Sequence, residues 1–248
     1  MKPTETLRYR LAMSFILSVV FLSSCVTSNL EYDRMSGTNF PAQGTDSAGN
    51  TEDISTMFGT GGQVLTVDFD QNNIPALTGQ STPLDPFEFN FITTAELQTL
   101  ELANRSVQVD ADTTITAQGN QNRKYFVWGI VVNHFREDAA GNRTTGTMGL
   151  MYDPNLRSAF TNYFRNTTLN SNNNLYLRSA AHEVGHAFNL SHGDGDGNTT
   201  IMNQTSAINT NSFQYRFSSS SLDHLQNHVK EAVFPGIGPR DFSVPHIH

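Results

Sequence analysis

Apolar positions along this chain repeat with two periods, and each period points to a different kind of element. The most nearly continuous apolar run, KYFVWGIVVNHF at residues 124–135, is almost wholly β-branched or aromatic, as expected of a strand buried on both faces. Shorter runs, GQVLTVDFD at residues 62–70 and GTMGLMYD at 146–153, read as further strands, and residues 113–117 as a weaker one. A turn at Ala140, Gly141 and Asn142 leads into the run at 146–153.

Helical spacing takes over in three places. Behind a cap at Thr93 or Thr94, Leu97, Leu100, Leu102 and Ala103 share one broad apolar side. Leu177, Ala180, Ala181, Val184, Ala187 and Phe188 give a second helix a buried side, so it is a core element, and an Asn-rich turn precedes it. A run of serines from Ser218 to Ser221 supplies the cap of a third helix, with Leu222, Leu225, Val229 and Val233 inward and Pro235, Gly236, Gly238 and Pro239 as its stop. Residues 155–165, NLRSAFTNYFR, fit either a short helix or a substrate-side loop with aromatic anchors. The chain has no internal repeat.

The N-terminal part lacks such periodicity. Lys2, Arg8 and Arg10 precede an apolar run at residues 11–22, too short to span a bilayer comfortably but suited to the core of a signal peptide. Leu22, Ser23, Ser24 and Cys25 follow, and they resemble a bacterial lipobox. The resemblance implies a signal peptide over residues 1–24 and a mature chain that begins at a lipid-bearing, palmitoylated Cys25. The plainer alternative is a secretory signal with a cysteine near its cut site. Val26, in place of the Asp that favours inner-membrane retention, implies the outer membrane of a Gram-negative cell envelope. Residues 25–61, rich in Ser, Thr, Gly, Asn and Asp, read as a flexible tether or a short inhibitory pro-segment, in which Asp46 or Asp53 would cap a metal.

Composition narrows the function. The chain has 248 residues, 15% of them charged, with a net charge of −8, a balance that argues against nucleic acid, which would want a basic face. Its single cysteine permits no internal disulfide, so stability has to come from packing and from any bound metal. Sequons at Asn166 and Asn198 follow from the Asn- and Thr-rich composition.

The chemistry concentrates in HEVGHAFNLSH, residues 182–192. Four residues apart on one helix face, His182 and His186 can point at one ion, with Glu183 beside it. Asn189 stands where a helix ends on a left-handed residue, a role Asn tolerates, and the reversal brings His192 round as a third ligand. Three imidazoles leave an ion one open position, which marks a catalytic rather than a structural zinc, and Glu183 can act as general base toward a metal-activated water.

This motif, with Met202 ten residues further on, resembles the metzincin clan of zinc endopeptidases, in which Gly usually stands where this chain has Asn189. The resemblance implies an α+β fold. It would have a twisted mixed sheet, a long active-site helix, a Met-turn at Met202 and a C-terminal helix, all in a catalytic domain over residues 62–248. It also implies one catalytic Zn²⁺ held by His182, His186 and His192, with Glu183 catalytic, and a protein or peptide substrate laid against the strand at residues 146–152. Gln204 stands where some members place a further tyrosine ligand, which favours a plain three-His site. Phe213 and Tyr215 would shape the specificity pocket or serve as core aromatics. A monomer is expected. The alternative reading from another class is a zinc-stabilised surface lipoprotein that binds without catalysis.

The remaining candidates carry less. Asp194, Asp196 and Asn198 resemble the start of a Ca²⁺ loop, but an EF-hand would need Gly and Glu where Thr199 and Thr205 stand, which favours a flexible acidic loop. His224 and His228 read as ordinary helix residues, and His134, His246 and His248 as incidental.

Overall fold

In the computed structural model, which describes residues 27–69, 74–75, 91–92, 94–106, 125–132, 134–135, 148–153, 157–164, 172–193, 199–204, 207–209 and 211–236, the long apolar run forms the middle strand of a five-stranded sheet. The strands are β1 (Thr27–Arg34), β2 (Gly44–Thr45), β3 (Thr51–Glu52), β4 (Val64–Asp68), β5 (Phe91–Ile92), β6 (Phe126–Val132), β7 (His134–Phe135), β8 (Gly149–Met151) and β9 (Ala159–Tyr163). The helices are α1 (Ile54–Thr60), α2 (Thr94–Asn104), α3 (Asn173–Ala187), α4 (Ser219–Asn227) and α5 (Lys230–Val233).

The sheet runs β4-β1-β6-β9-β8. Its first four strands are mutually parallel, and β8 closes one edge antiparallel to β9. Parallel strands need cover on both faces, and β6 shows how this is met. Val127 and Val131 join the core built with α1 and α3, while Trp128, Ile130 and Val132 join the one built with Leu97 and Leu100 of α2. Gly129 lies between because a Cβ there would stand 2.5 Å from the Phe160 ring and 2.8 Å from that of Tyr32. The result is a mixed α/β fold with a mostly parallel sheet.

Order begins well before residue 62, within the stretch expected to be a flexible tether or a short pro-segment. Residues 27–34 are β1, hydrogen-bonded to β4 on one side and β6 on the other. Leu30 and Tyr32 face the α3 side of the sheet and are fully buried. Asp33 and Glu31 point the other way without cost, because Asp33 accepts from Trp128 Nε1 at 2.9 Å and Glu31 accepts from the Ser106 backbone N–H at 3.0 Å. Buried charges with partners look, in sequence, like a solvated face.

Beyond β1 the lead-in is fastened to the start of α3. Asn173 and Asn174 exchange hydrogen bonds with the backbone of Ala42, Gln43 and Thr45. Asp53, one of the two candidate capping aspartates, is the N-cap of α1 and accepts from Thr56 N at 2.8 Å. Asp46, the other, accepts from Ala48 N, from the backbone and side chain of Asn50 and from Tyr215 N. Its burial would raise the carboxyl, but these hydrogen bonds outweigh it and hold the pKa below the ordinary value. Both carboxylates are therefore engaged in local structure.

Residues 159–163 are neither the helix nor the loop expected, but the strand β9, buried at every position. The C-terminal helix is broken. α4 stops at Asn227, His228 is extended at φ −86 and ψ 159, and Val229, expected inward, is 68% exposed. Leu102 likewise faces out at 65%. The weaker strand at 113–117, the turn at 140–142, the signal segment with Cys25, and His246 and His248 lie outside the described residues. Among those described, no helix is long and apolar enough to cross a membrane.

Candidate metal centre

α3 carries the site. Its N-cap is Asn172, whose side chain accepts from Leu175 N at 3.2 Å. From Leu175 to Ala187 every residue is buried, so the helix runs through the core and His182 and His186 are core rather than surface residues. It ends in a Schellman motif: Leu190 N donates to Gly185 O and Asn189 N to His186 O, both at 3.0 Å. Asn189 sits between them at φ 62, the left-handed state expected of it. Its side chain also donates to Ala232 O at 2.8 Å, a tie that glycine has no means to make.

The reversal brings three imidazoles together. Ring centroids of His182, His186 and His192 lie 4.6, 5.1 and 5.0 Å apart, and one ligand nitrogen from each falls within 4.8 Å of the others. His182 and His186 are buried and His192 is exposed, so the cluster is open on one side. Nδ1 of His182 lies 2.8 Å from Ile201 O, and Nδ1 of His186 lies 2.7 Å from Leu190 O. A carbonyl can only accept, so both rings carry their proton on Nδ1 and keep the Nε2 lone pair for a metal. Burial, then the neighbouring His186 and Arg178, pushes the His182 pKa well down and keeps the ring neutral.

Met202 lies beneath this helix. A Cβ on Gly185 would stand 2.3 Å from its sulfur, so the methionine occupies the space a side chain would need. The turn around it is closed by Asn203, whose Oδ1 accepts from Thr200 N at 2.7 Å and whose Nδ2 donates to Gly193 O. Arg178, one turn before His182, donates to Asn203 O and to Thr200 O. Burial lowers its guanidinium to about 10, with Glu183 opposing, so it stays a cation at neutral pH.

Glu183 is 5% exposed and pressed against the edge strand. A Cβ on Gly149 would lie 2.6 Å from its Cγ and 2.7 Å from its Oε1. Asn162 of β9, which accepts from Tyr32 Oη at 2.7 Å and donates to Ser179 Oγ at 3.1 Å, ties the sheet to α3 one turn before Glu183.

Other expectations resolve differently. Phe213 and Tyr215 are core aromatics, packed edge to face with centroids 5.5 Å apart, and Tyr215 Oη donates to Asn174 O. His224 is wholly buried, with Nε2 3.1 Å from Phe188 O at the end of α3. Asp194, Asp196 and Asn198 lie outside the described residues. The residues that frame the site without having been singled out are Arg178, Gly185, Gly149, Asn162 and Asn203. A glycine inside HExGH was the only visible signal among them.

No protein-family model matches the sequence, and no curated protein matches it. Among solved structures the chain is similar to a zinc-dependent peptidase from Methanocorpusculum labreanum (strain Z), at 16% identity and a TM-score of 0.46, covering 79% of this chain and 100% of that one.

Proposed function

We propose that the protein is a metzincin-like zinc endopeptidase, carried on the cell envelope by a lipid on Cys25. The observation that supports it most is the pairing of a three-His cluster, two rings of which are locked in the metal-binding tautomer, with a buried carboxylate on the same helix. The donor set fits the ion: three neutral imidazoles suit zinc and leave it an open position. When bound, zinc supplies a Lewis acid and lowers the pKa of water to near neutrality.

The chain's own residues do the rest. Glu183, held between α3 and Gly149, accepts the proton of the attacking water and passes it to the leaving amine. β8, at the edge of the described sheet, offers backbone groups to an extended peptide, and Gly149 sets that edge directly over Glu183. Substrate laid there would present its scissile carbonyl beside the three imidazoles.

Purified mature protein is expected to hold about one zinc per chain and to cleave denatured proteins. A chelator should abolish turnover, and Glu183→Ala should lower it by at least about 100-fold while zinc stays bound. Bound zinc without turnover on a broad peptide library would sink the peptidase reading. The anchor is checked separately: Cys25→Ser should end incorporation of labelled palmitate in cells, and continued labelling would place the lipid elsewhere.

A further inference from the structure

β1 opens at Thr27, and only Val26 stands between it and Cys25. Two residues of extended chain reach at most about 7 Å, so a lipid on Cys25 leaves the start of β1 no room to stand off from the bilayer. The parts of the molecule that meet at this end follow from the pairing. Thr27 lies beside Val64, the first residue of β4. Asn29 N donates to Tyr125 O just ahead of β6, and Tyr125 N donates to Pro235 O beyond α5. Gln63 donates through its side chain to Leu225 O in the last turn of α4. α2 ends here too, since Arg105 donates to Phe126 O and lies 4.9 Å over the Phe126 ring.

A second observation singles out the same end. Among the described residues four large apolar side chains are exposed, Val64, Phe69, Leu102 and Val229. Three of them sit on the segments just named: Val64 opens β4, Leu102 is in the last turn of α2, and Val229 follows α4. Glu183 stands at the opposite end. It is pressed against Gly149, which lies in one register row with Asn162, Val131 and Arg34. That row is about 23 Å further along β1 than Thr27 at the usual strand rise.

We propose that the end of the sheet where β1 starts is the membrane face of the protein, with Val64, Leu102 and Val229 laid against the lipid surface and the Glu183 carboxylate held away from it. This rests on the reading of Cys25 as the lipid-bearing residue. A polypeptide substrate then reaches the site from outside the bilayer.

The test uses the lipidated full chain in vesicles of phosphatidylethanolamine and phosphatidylglycerol, a fraction of which carry a nitroxide at the headgroup. With Cys25 occupied by lipid, Val64→Cys, Val229→Cys and Ala48→Cys each offer one thiol to a fluorescent label. Ala48 is the far-end control. It is exposed and lies beside the start of α3, where Asp46 holds Tyr215 N and Tyr176 donates to Asn39 O. Labels at 64 and 229 should lose most of their emission to the nitroxide lipid, and the label at 48 should keep its own, with melting temperatures as in wild type. Equal quenching at the three positions, or none at any, overturns the proposal while the lipid reading stands. A mature Cys25→Ser protein should sediment as a monomer, and a dimer that shields positions 64 and 229 would give this face to a second copy and overturn the bilayer as its occupant. Wild type that carries no lipid on Cys25 removes the anchor reading and the membrane face together, a result that mass analysis of the purified chain separates from the others.

Discussion

Gly149 has no room for a side chain. Its missing Cβ would overlap Glu183 Cγ at 2.6 Å and the Asn162 amide nitrogen at 2.7 Å, and β8 is fixed in place by pairing with β9. Both groups in contact are side chains, and Asn162 is tied to Tyr32 and Ser179, so Gly149→Ala should displace the Glu183 carboxylate and leave the histidines alone. Misplacement by about 1 Å costs on the order of 100-fold in rate. The expected result is therefore a kcat lowered by about that factor with zinc content unchanged, measured by turnover and metal analysis on the same preparation. Full turnover would show that Glu183 is not held by this contact. At this scale the sequence was legible where a residue's reason is local. His182, His186 and Asn189 follow from helix geometry and from the tolerance of Asn for positive φ, here 62. It was opaque where the reason is a distant partner. Gly149 and Gly185 are small because of Glu183 and Met202, and no spacing rule connects those pairs.

Among the elements, β6, β4, β8, α2 and α3 fall where the hydrophobic runs placed them, since each buries apolar residues at the period of its own geometry. Among the elements that escaped, β1 and β9 each bury polar side chains alongside apolar ones. Thr161 donates to Ile130 O at 2.9 Å and Asn162 links Tyr32 to Ser179, so β9 is buried throughout without an apolar pattern. In β1 the pairs Asp33 with Trp128 and Glu31 with Ser106 have the same effect. The break between α4 and α5 was hidden for a related reason. His224 ties α4 to Phe188 O. Arg157, wholly buried at φ 55, donates to Ala187 O, Val233 O and Phe234 O and so draws the following segment under the end of α3. A bend at His228 and Val229 satisfies both sets of ties and turns Val229 outward. A cation at that end also complements the helix dipole. None of these ties is local enough to read from a run of residues.

For the molecule as a whole, the lead-in is part of what folds. β1 lies between β4 and β6, and the 42–45 stretch grips the first turn of α3, so residues 27–61 connect the far edge of the sheet to the helix that carries the histidines. Leu30, Tyr32, Met57 and Phe58 are fully buried, and loss of each large apolar side chain costs about 2 to 5 kcal/mol. Together that rivals the roughly 5 to 15 kcal/mol by which a domain is stable at all. Deleting β1 would also separate β4 from β6 and leave each with an unpaired edge. Two truncated chains distinguish this from the tether expected of the sequence. One starting at Val26 should melt cooperatively and bind zinc. One starting at Gly62 should show no cooperative thermal transition, remain aggregation-prone, and bind no stoichiometric metal. The helix that carries the histidines is anchored at both ends, by the 42–45 stretch at its start and by Ala232 at the Asn189 turn. If the chain starting at Gly62 folds and binds zinc, then β1 is dispensable and the catalytic unit does begin where the first strong hydrophobic alternation begins.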